Sequence, residues 1–206
     1  MAFTQFKNVG EVFKKYPLKV KRAALIPKEI VKMAPEWLQA DINFALQQAL
    51  FRHSEAAICE QIIYPVLRAV WKECFLEGML LWSHTQFVVD DTLSGIPDFL
   101  FSKRTDYDSE VLTAPILLAV EAKKDNFEEG WGQCLAEMIA AQQVNEQPDW
   151  AIYGIVSNGK LWEFAQLKAN IFTKHTSHID ILDLSRIYSG LYTMLEDCRQ
   201  QFVTSN

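Results

Sequence analysis

Residues 116–123 read Ile-Leu-Leu-Ala-Val-Glu-Ala-Lys, an apolar run that passes directly into an acid and a base two positions apart. A strand wet on one face alternates apolar with polar residues, so a run apolar at every position marks a strand covered on both faces, in the middle of a sheet. Such a strand needs neighbours on both edges and helices over it. The expected fold class is therefore α/β, with a central mixed β-sheet flanked by α-helices.

The flanking text supplies those elements. After Pro35, the stretch EWLQADINFALQQALF places Trp37, Ile42, Leu46 and Leu50 at near-helical spacing, with the proline tolerated at the first turn. Ser54 is positioned to cap a second helix in which Ile58, Ile62, Leu67 and Trp71 recur, and Pro65 inside it should bend or restart the helix. Beyond Gly78 the period shortens, and FVVD, GIPDFLFSK and ILLAVEAK read as three strands of an antiparallel meander. NFEEGWGQCLAEMIAAQQVNE returns to helix, capped by Asn126 with Glu129 three residues on and ended by Gln147-Pro148. WAIYGIVSNGKLWEFAQL is a strand pair joined by Asn158-Gly159, the dipeptide that suits a two-residue hairpin. A last helix puts Leu184, Ile187, Leu191 and Leu195 on one face behind Asp183 as its cap.

Residues 1–35 differ from the rest. Three prolines interrupt them, and eight Lys and Arg stand against two Glu, a net of +6 that leaves the following 171 residues at −12. The expectation is a basic N-terminal arm with one or two short helices, followed by a single domain over 36–206. The arm could meet phosphate, dock on its own acidic domain, or join a second subunit as a homo-oligomer. No apolar run reaches the roughly 20 residues that span a bilayer, and MAFTQFKNVG lacks the layout of a signal peptide, so no membrane role and a cytoplasmic location are expected. Cys59, Cys74, Cys134 and Cys198 are scattered and read as reduced thiols. His175 and His178 lie three apart in TKHTSHID without a matching third ligand, so no zinc site is expected there. The tryptophans fall on apolar faces or at element ends and read as packing residues rather than base-stacking platforms.

The chemistry lies where the strands are. Glu121 and Lys123 leave the same face of one strand, and Asp98 precedes the apolar FLF of the strand before it. Two carboxylates side by side at the end of an apolar sheet repel unless a cation sits between them, and hard oxygen ligands favour Mg²⁺ or Mn²⁺. The alternatives are a turn role for Asp98 and a local ion pair for Glu121 with Lys123. Asp90 and Asp91 are spare acids nearby, and spacing selects neither.

The sequence Pro97-Asp98 followed by Glu121-Ala122-Lys123 resembles the PD-(D/E)xK nuclease superfamily. The likeness extends to SEAAICEQIIYPVL, similar to the helix before this core in the nuclease domain of type I restriction enzymes, to WGQCLAEM, and to the hairpin IVSNGKLWEF; together they cover about residues 54–165. The resemblance implies a restriction-endonuclease-like core and Mg²⁺- or Mn²⁺-dependent hydrolysis of DNA phosphodiester bonds, with RNA left open. Asp98, Glu121 and the backbone carbonyl of Ala122 would hold the metal. Lys123 would position or deprotonate the attacking water and counter the charge on the phosphate, Gln133 would reach a phosphate or orient the site, and Glu55 would support the water shell. Glu55 also reads as a plain first-turn helix acid, with Glu60 a competitor, and Gln133 as a surface residue. Glu137 stands where some relatives carry a Tyr. The alternative function is a nuclease-fold module that binds nucleic acid or a protein partner without cutting.

Overall fold

The computed structural model describes residues 3–74, 78–107 and 109–203. A 3-10 turn at Phe3–Gln5 leads to helix α1 (Val9–Lys15), strand β1 (Lys19–Ala23) and helix α2 (Glu36–Gln48). Helix α3 (Glu55–Ile58) continues through a π turn at Cys59–Ile63 into α4 (Tyr64–Cys74). The strands β2 (Met79–Ser83), β3 (Phe87–Val88), β4 (Ser94–Gly95), β5 (Phe99–Lys103) and β6 (Ile116–Ala122) follow, and then helix α5 (Phe127–Asn145). Strands β7 (Ile152–Ser157), β8 (Leu161–Lys168), β9 (Ile171–His175) and β10 (Ile179–Asp180) precede the last helix, α6 (Leu184–Val203).

Seven strands run in the order β1-β9-β8-β7-β6-β5-β2, with β10 added to β8, in a mixed, open sheet flanked by helices. The pairs β6/β7 and β1/β9 are parallel and the others antiparallel. All seven residues of β6 are buried, the apolar Ile116–Val120 as a strand covered on both faces requires and Glu121 along with them. Helix α5 lies over β6 and β7, its Cys134 Sγ reaching the carbonyls of Ala119 and Ile155, while Cys198 of α6 reaches that of Leu117. Among the described residues, no helix is long and apolar enough to cross a membrane.

Local chemistry explains several boundaries. Ser54 Oγ accepts from Ala57 N at 3.1 Å and starts α3. Pro65 has no N–H to return to Gln61, and the helix absorbs the loss by widening just before it, where Tyr64 N bonds Cys59 O, five residues back. Asn126 Oδ1 accepts from Glu129 N at 3.1 Å and opens α5. In the β7–β8 hairpin Asn158 Oδ1 accepts from both Lys160 and Leu161, and Gly159 takes φ +82°, a value that disfavours a side chain.

Three expectations need correction. The partner of β5 is not FVVD but Met79–Ser83; Asp90 Oδ1 accepts from Thr92 and Leu93 at 2.6 and 2.7 Å, and this tight turn confines Phe87–Val88 to a two-stranded ribbon with Ser94–Gly95. Helix α2 buries Leu38, Ile42 and Ala45, not Trp37, which is half exposed with Lys72 Nζ 5.0 Å from its ring centre. The side-chain cap ahead of α6 is Asp180, which accepts from Leu182 N at 2.9 Å, rather than Asp183. His175, in the polar stretch TKHTSHID, ends β9.

The basic N-terminal segment enters the sheet as well. β1 pairs in parallel with β9, from Lys19 opposite Ile171 to Ala23 opposite His175, and all five of its residues are exposed. Lysine and arginine on this edge discourage pairing with a further chain. Lys7 pairs with Glu129 at 2.7 Å and Lys32 with Glu73 at 2.6 Å, so part of the positive charge docks on the acidic body. The segment after β1 is held by His175, whose Nδ1 accepts from Leu25 N at 2.9 Å and Ile26 N at 3.3 Å.

An accepting Nδ1 carries no proton, and burial, with Arg186 nearby, holds this imidazole below its ordinary value. A depressed histidine contributes stability above its unfolded-state value of about 6.5, and loses it as the pH falls through the lower folded-state value. His175→Ala should therefore cost about 1–3 kcal/mol in urea unfolding at pH 8. The gap from the wild type should narrow on acidification below about pH 6.5. Equal stability of the two proteins at pH 8 would refute this anchoring role.

Candidate functional site

The strand register sets the site. Phe99 of β5 pairs with Val120 of β6, so the next residue outward on β5, Asp98, faces Glu121. Residues directly opposite on neighbouring strands project from the same face, which puts both carboxylates together. Asp98 Oδ2 accepts from Ala122 N at 2.7 Å, so the carboxylate closes the sheet where β5 has ended. Lys123 follows, its own N–H bonded to Ser157 O at 2.9 Å, and its ammonium turns back to Glu121 Oε2 at 3.4 Å.

Glu55 arrives from the first turn of α3. Its carboxylate lies 3.6 Å from Lys123 Nζ and accepts from Lys124 N at 3.3 Å, so the helix start is tied to the segment after β6. Glu60 lines a different cavity, beside Tyr64 and His84. Helix α5 closes the site from above. Gly130 makes the approach possible, because a Cβ there would stand 2.8 Å from Lys123 Cγ and 2.7 Å from Val156 Cγ1. Gln133 and Glu137 follow at helical spacing on that side, and both are buried, so Gln133 is not the surface residue of the bland alternative.

Glu137 is the residue that sequence reasoning passed over as a mismatch. It is 1% exposed and hydrogen-bonded to Glu121, while its Oε2 is buried without a partner. Two carboxyl groups bond to each other only through a shared proton. Burial, with the charge of Asp98, pushes Glu121 up to about 7 against the opposing pull of Glu137 and Lys123, and burial, with Glu121, raises Glu137 well above the usual carboxylate range. Burial also raises Asp98, against the opposing pull of Ala122 N–H, Lys123 and His84. Lys123 is drawn down by burial, but Glu121, Glu55 and Asp98 outweigh this and hold it above its ordinary value. It is a fixed cation at neutral pH.

The sequence-predicted residues Asp98, Glu121, Ala122, Lys123 and Glu55 thus meet at one end of the sheet, with Gln133 on the helix above. Two more residues border Asp98: Cys59, one turn after Glu55, and His84, whose Nε2 lies 3.4 Å from Asp98 Oδ1. One ligand atom from each of Cys59, His84 and Asp98 lies within 4.8 Å of the other two. Their signal in the sequence is slight, since a lone Cys and a lone His 25 residues apart match no metal spacing. Arg52, Lys124 and Lys160 line a cavity of about 330 Å³ together with Asp125, Asn158, Phe51 and Ile58. No protein-family model matches the chain, and no curated protein is significantly similar to it.

An acid whose folded-state value is raised adds stability below its unfolded value, about 4.3 for Glu, and loses it as the pH rises through the folded value. The metal-free protein should therefore lose melting temperature between pH 5 and pH 8. Glu137→Gln, which keeps a donor for Glu121 but cannot ionise, should make that decline shallower. A wild-type profile flat over this range, or one that Glu137→Gln leaves unchanged, would contradict the buried pair.

Proposed function

We propose that the protein is a metal-dependent phosphodiesterase acting on DNA, with a PD-(D/E)xK type site at Asp98, Glu121 and Lys123 in a restriction-endonuclease-like core. The convergence of these three side chains at the ends of β5 and β6 carries the proposal. An ordinary surface ion pair would not leave three carboxyl groups raised by burial around one lysine.

The residues fit a divalent cation. Asp98, Glu121 and Glu137 bring more buried carboxyl oxygen than Lys123 can neutralise, and Glu137 Oε2 has no partner. A backbone unit in a strand sends its N–H and C=O to the same edge, so the Ala122 carbonyl joins its N–H on the Asp98 side. An all-oxygen set of this kind suits Mg²⁺ or Mn²⁺. When bound, such a cation polarises a phosphoryl oxygen and lowers the pKa of a coordinated water.

The chain's own residues divide the remaining work. Because its neighbours keep Lys123 protonated, its part is to stabilise charge on the phosphate and orient the attacking water, not to accept a proton. Glu55, the more exposed carboxylate beside it, is placed to hold that water. Gln133, buried on the helix above, would reach a phosphate or orient the site. Arg52, Lys124 and Lys160 offer the incoming polyanion a positive lining despite the net charge of −6.

Plasmid and single-stranded DNA, and RNA, incubated with Mg²⁺ or Mn²⁺ test the proposal. Lys123→Ala, assayed below a melting temperature lowered by the loss of Glu121's partner, should slow cleavage by about a hundredfold to a thousandfold. Asp98→Asn should raise the metal concentration needed for half-maximal rate. A wild-type protein that cuts no substrate faster than Lys123→Ala would sink the enzyme in favour of a non-cutting nucleic-acid-binding module.

A further inference from the structure

We infer that Cys59, His84 and Asp98 form a second cation site that takes a thiophilic transition metal of the Zn²⁺ class. It is distinct from the all-oxygen site and independent of whether the protein cuts DNA. The two sites meet at Asp98 and use it differently. Oδ2 is engaged by the Ala122 amide, and Oδ1 is the oxygen turned toward His84.

The ligand geometry comes first. Zn–N and Zn–O bonds are about 2.0–2.2 Å long, and the edge between two such ligands of a tetrahedron is about 3.4 Å. His84 Nε2 and Asp98 Oδ1 are 3.4 Å apart. Cys59 Sγ, one His84 ring nitrogen and one Asp98 carboxylate oxygen form a triangle whose sides are all within 4.8 Å. Two of the three residues, Cys59 and His84, line a cavity of about 280 Å³ together with Glu60, Tyr64, Ser83 and Phe99, which gives a further ligand access to them.

His84 is also held as a ligand would be. Its backbone is left-handed at φ +49°, a conformation that costs energy for a residue with a Cβ. Its N–H bonds Asp98 O at 2.9 Å, and its ring meets the edge of Phe99 at 5.7 Å between centroids. Ser83 Oγ stands 2.9 Å from Nδ1, which orients the ring and leaves Nε2 aimed at the triangle. A bonded remote nitrogen is the usual companion of a metal-bound imidazole. An exposed histidine free of any task has no reason to be fixed at its backbone, ring face and one nitrogen together.

A hard cation does not compete well for this set, since a thiolate selects Zn²⁺ and its relatives over Mg²⁺. On binding, the Cys59 S–H bond breaks, its proton leaves to solvent, and the sulfur donates its electron pair to the metal with no change in oxidation state.

Co²⁺ added to the full chain is the probe. One equivalent should give the intense visible bands of tetrahedral Co²⁺ and a near-ultraviolet sulfur-to-metal charge-transfer band. Zn²⁺ should abolish both, and excess Mg²⁺ should abolish neither. Cys59→Ser, with its fold checked by circular dichroism, should remove the charge-transfer band. His84→Ala, at a half-exposed side chain and with its fold checked in the same way, should weaken Co²⁺ binding at least about tenfold. No charge-transfer band in the wild type, or one that survives Cys59→Ser or is unaffected in affinity by His84→Ala, would overturn the inference. Cleavage plays no part in these readouts, so a failed nuclease assay leaves them standing.

Discussion

Glu121 is an ionisable group at the end of a strand covered on both faces, and much of the surrounding structure answers to that one burial. A lone carboxylate moved from water into an apolar interior is costly enough that proteins neutralise or pair it. Here Lys123 returns along the same strand to meet it, and Glu137 comes down from the helix above to share a proton with it. The helix can come that close only because position 130 carries no side chain. Gly130, Lys123 and the start of α5 therefore form one device serving one carboxylate.

The same site gathers pieces distant in sequence. Glu55 opens α3, His84 follows β2, Asp98 precedes β5 and Lys123 follows β6, and backbone amides tie these pieces together. Ala122 N donates to Asp98, Lys124 N to Glu55, and His84 N to the Asp98 carbonyl. Side chains gripped through the main chain are positioned by the sheet, not by their own rotamers, a condition for aiming charge at a reacting atom.

The elements legible in the sequence were those whose partners are local or whose pattern is extreme. The run at 116–122, the Asn158-Gly159 hairpin, and the caps at Ser54 and Asn126 depend on neighbours a few residues away, and they stand where the residue types place them. β1 and β9 escaped because their pairing spans some 150 residues and β1 has no buried face to alternate with a polar one. Trp37 misled because a large apolar residue was given the core face that the smaller Leu38 and Ala45 occupy. In the site, Asp98, Glu121 and Lys123 were readable from strand spacing. The part played by Glu137 depends on how α5 rolls against β6, and that of His84 on a left-handed residue at the end of β2. Neither the roll nor the turn leaves a local mark in the chain.

The widened turn between α3 and α4 acts as a phase shifter. A regular helix advances about 100° per residue, so a single extra residue in one turn rotates everything before it relative to everything after. Upstream of the turn lies Glu55, and Cys59 is its first residue; downstream lie Val66, Leu67 and Val70, whose burial anchors the helix in the core. The core can therefore dictate the angle of α4 without dictating that of α3, and the direction in which the site residues face is set by five residues ahead of a proline. Shortening this segment by one residue would leave the hydrophobic stripe of α4 in register and turn Glu55 and Cys59 away from the sheet, so that a stable fold and an assembled site are separable properties of one continuous helix.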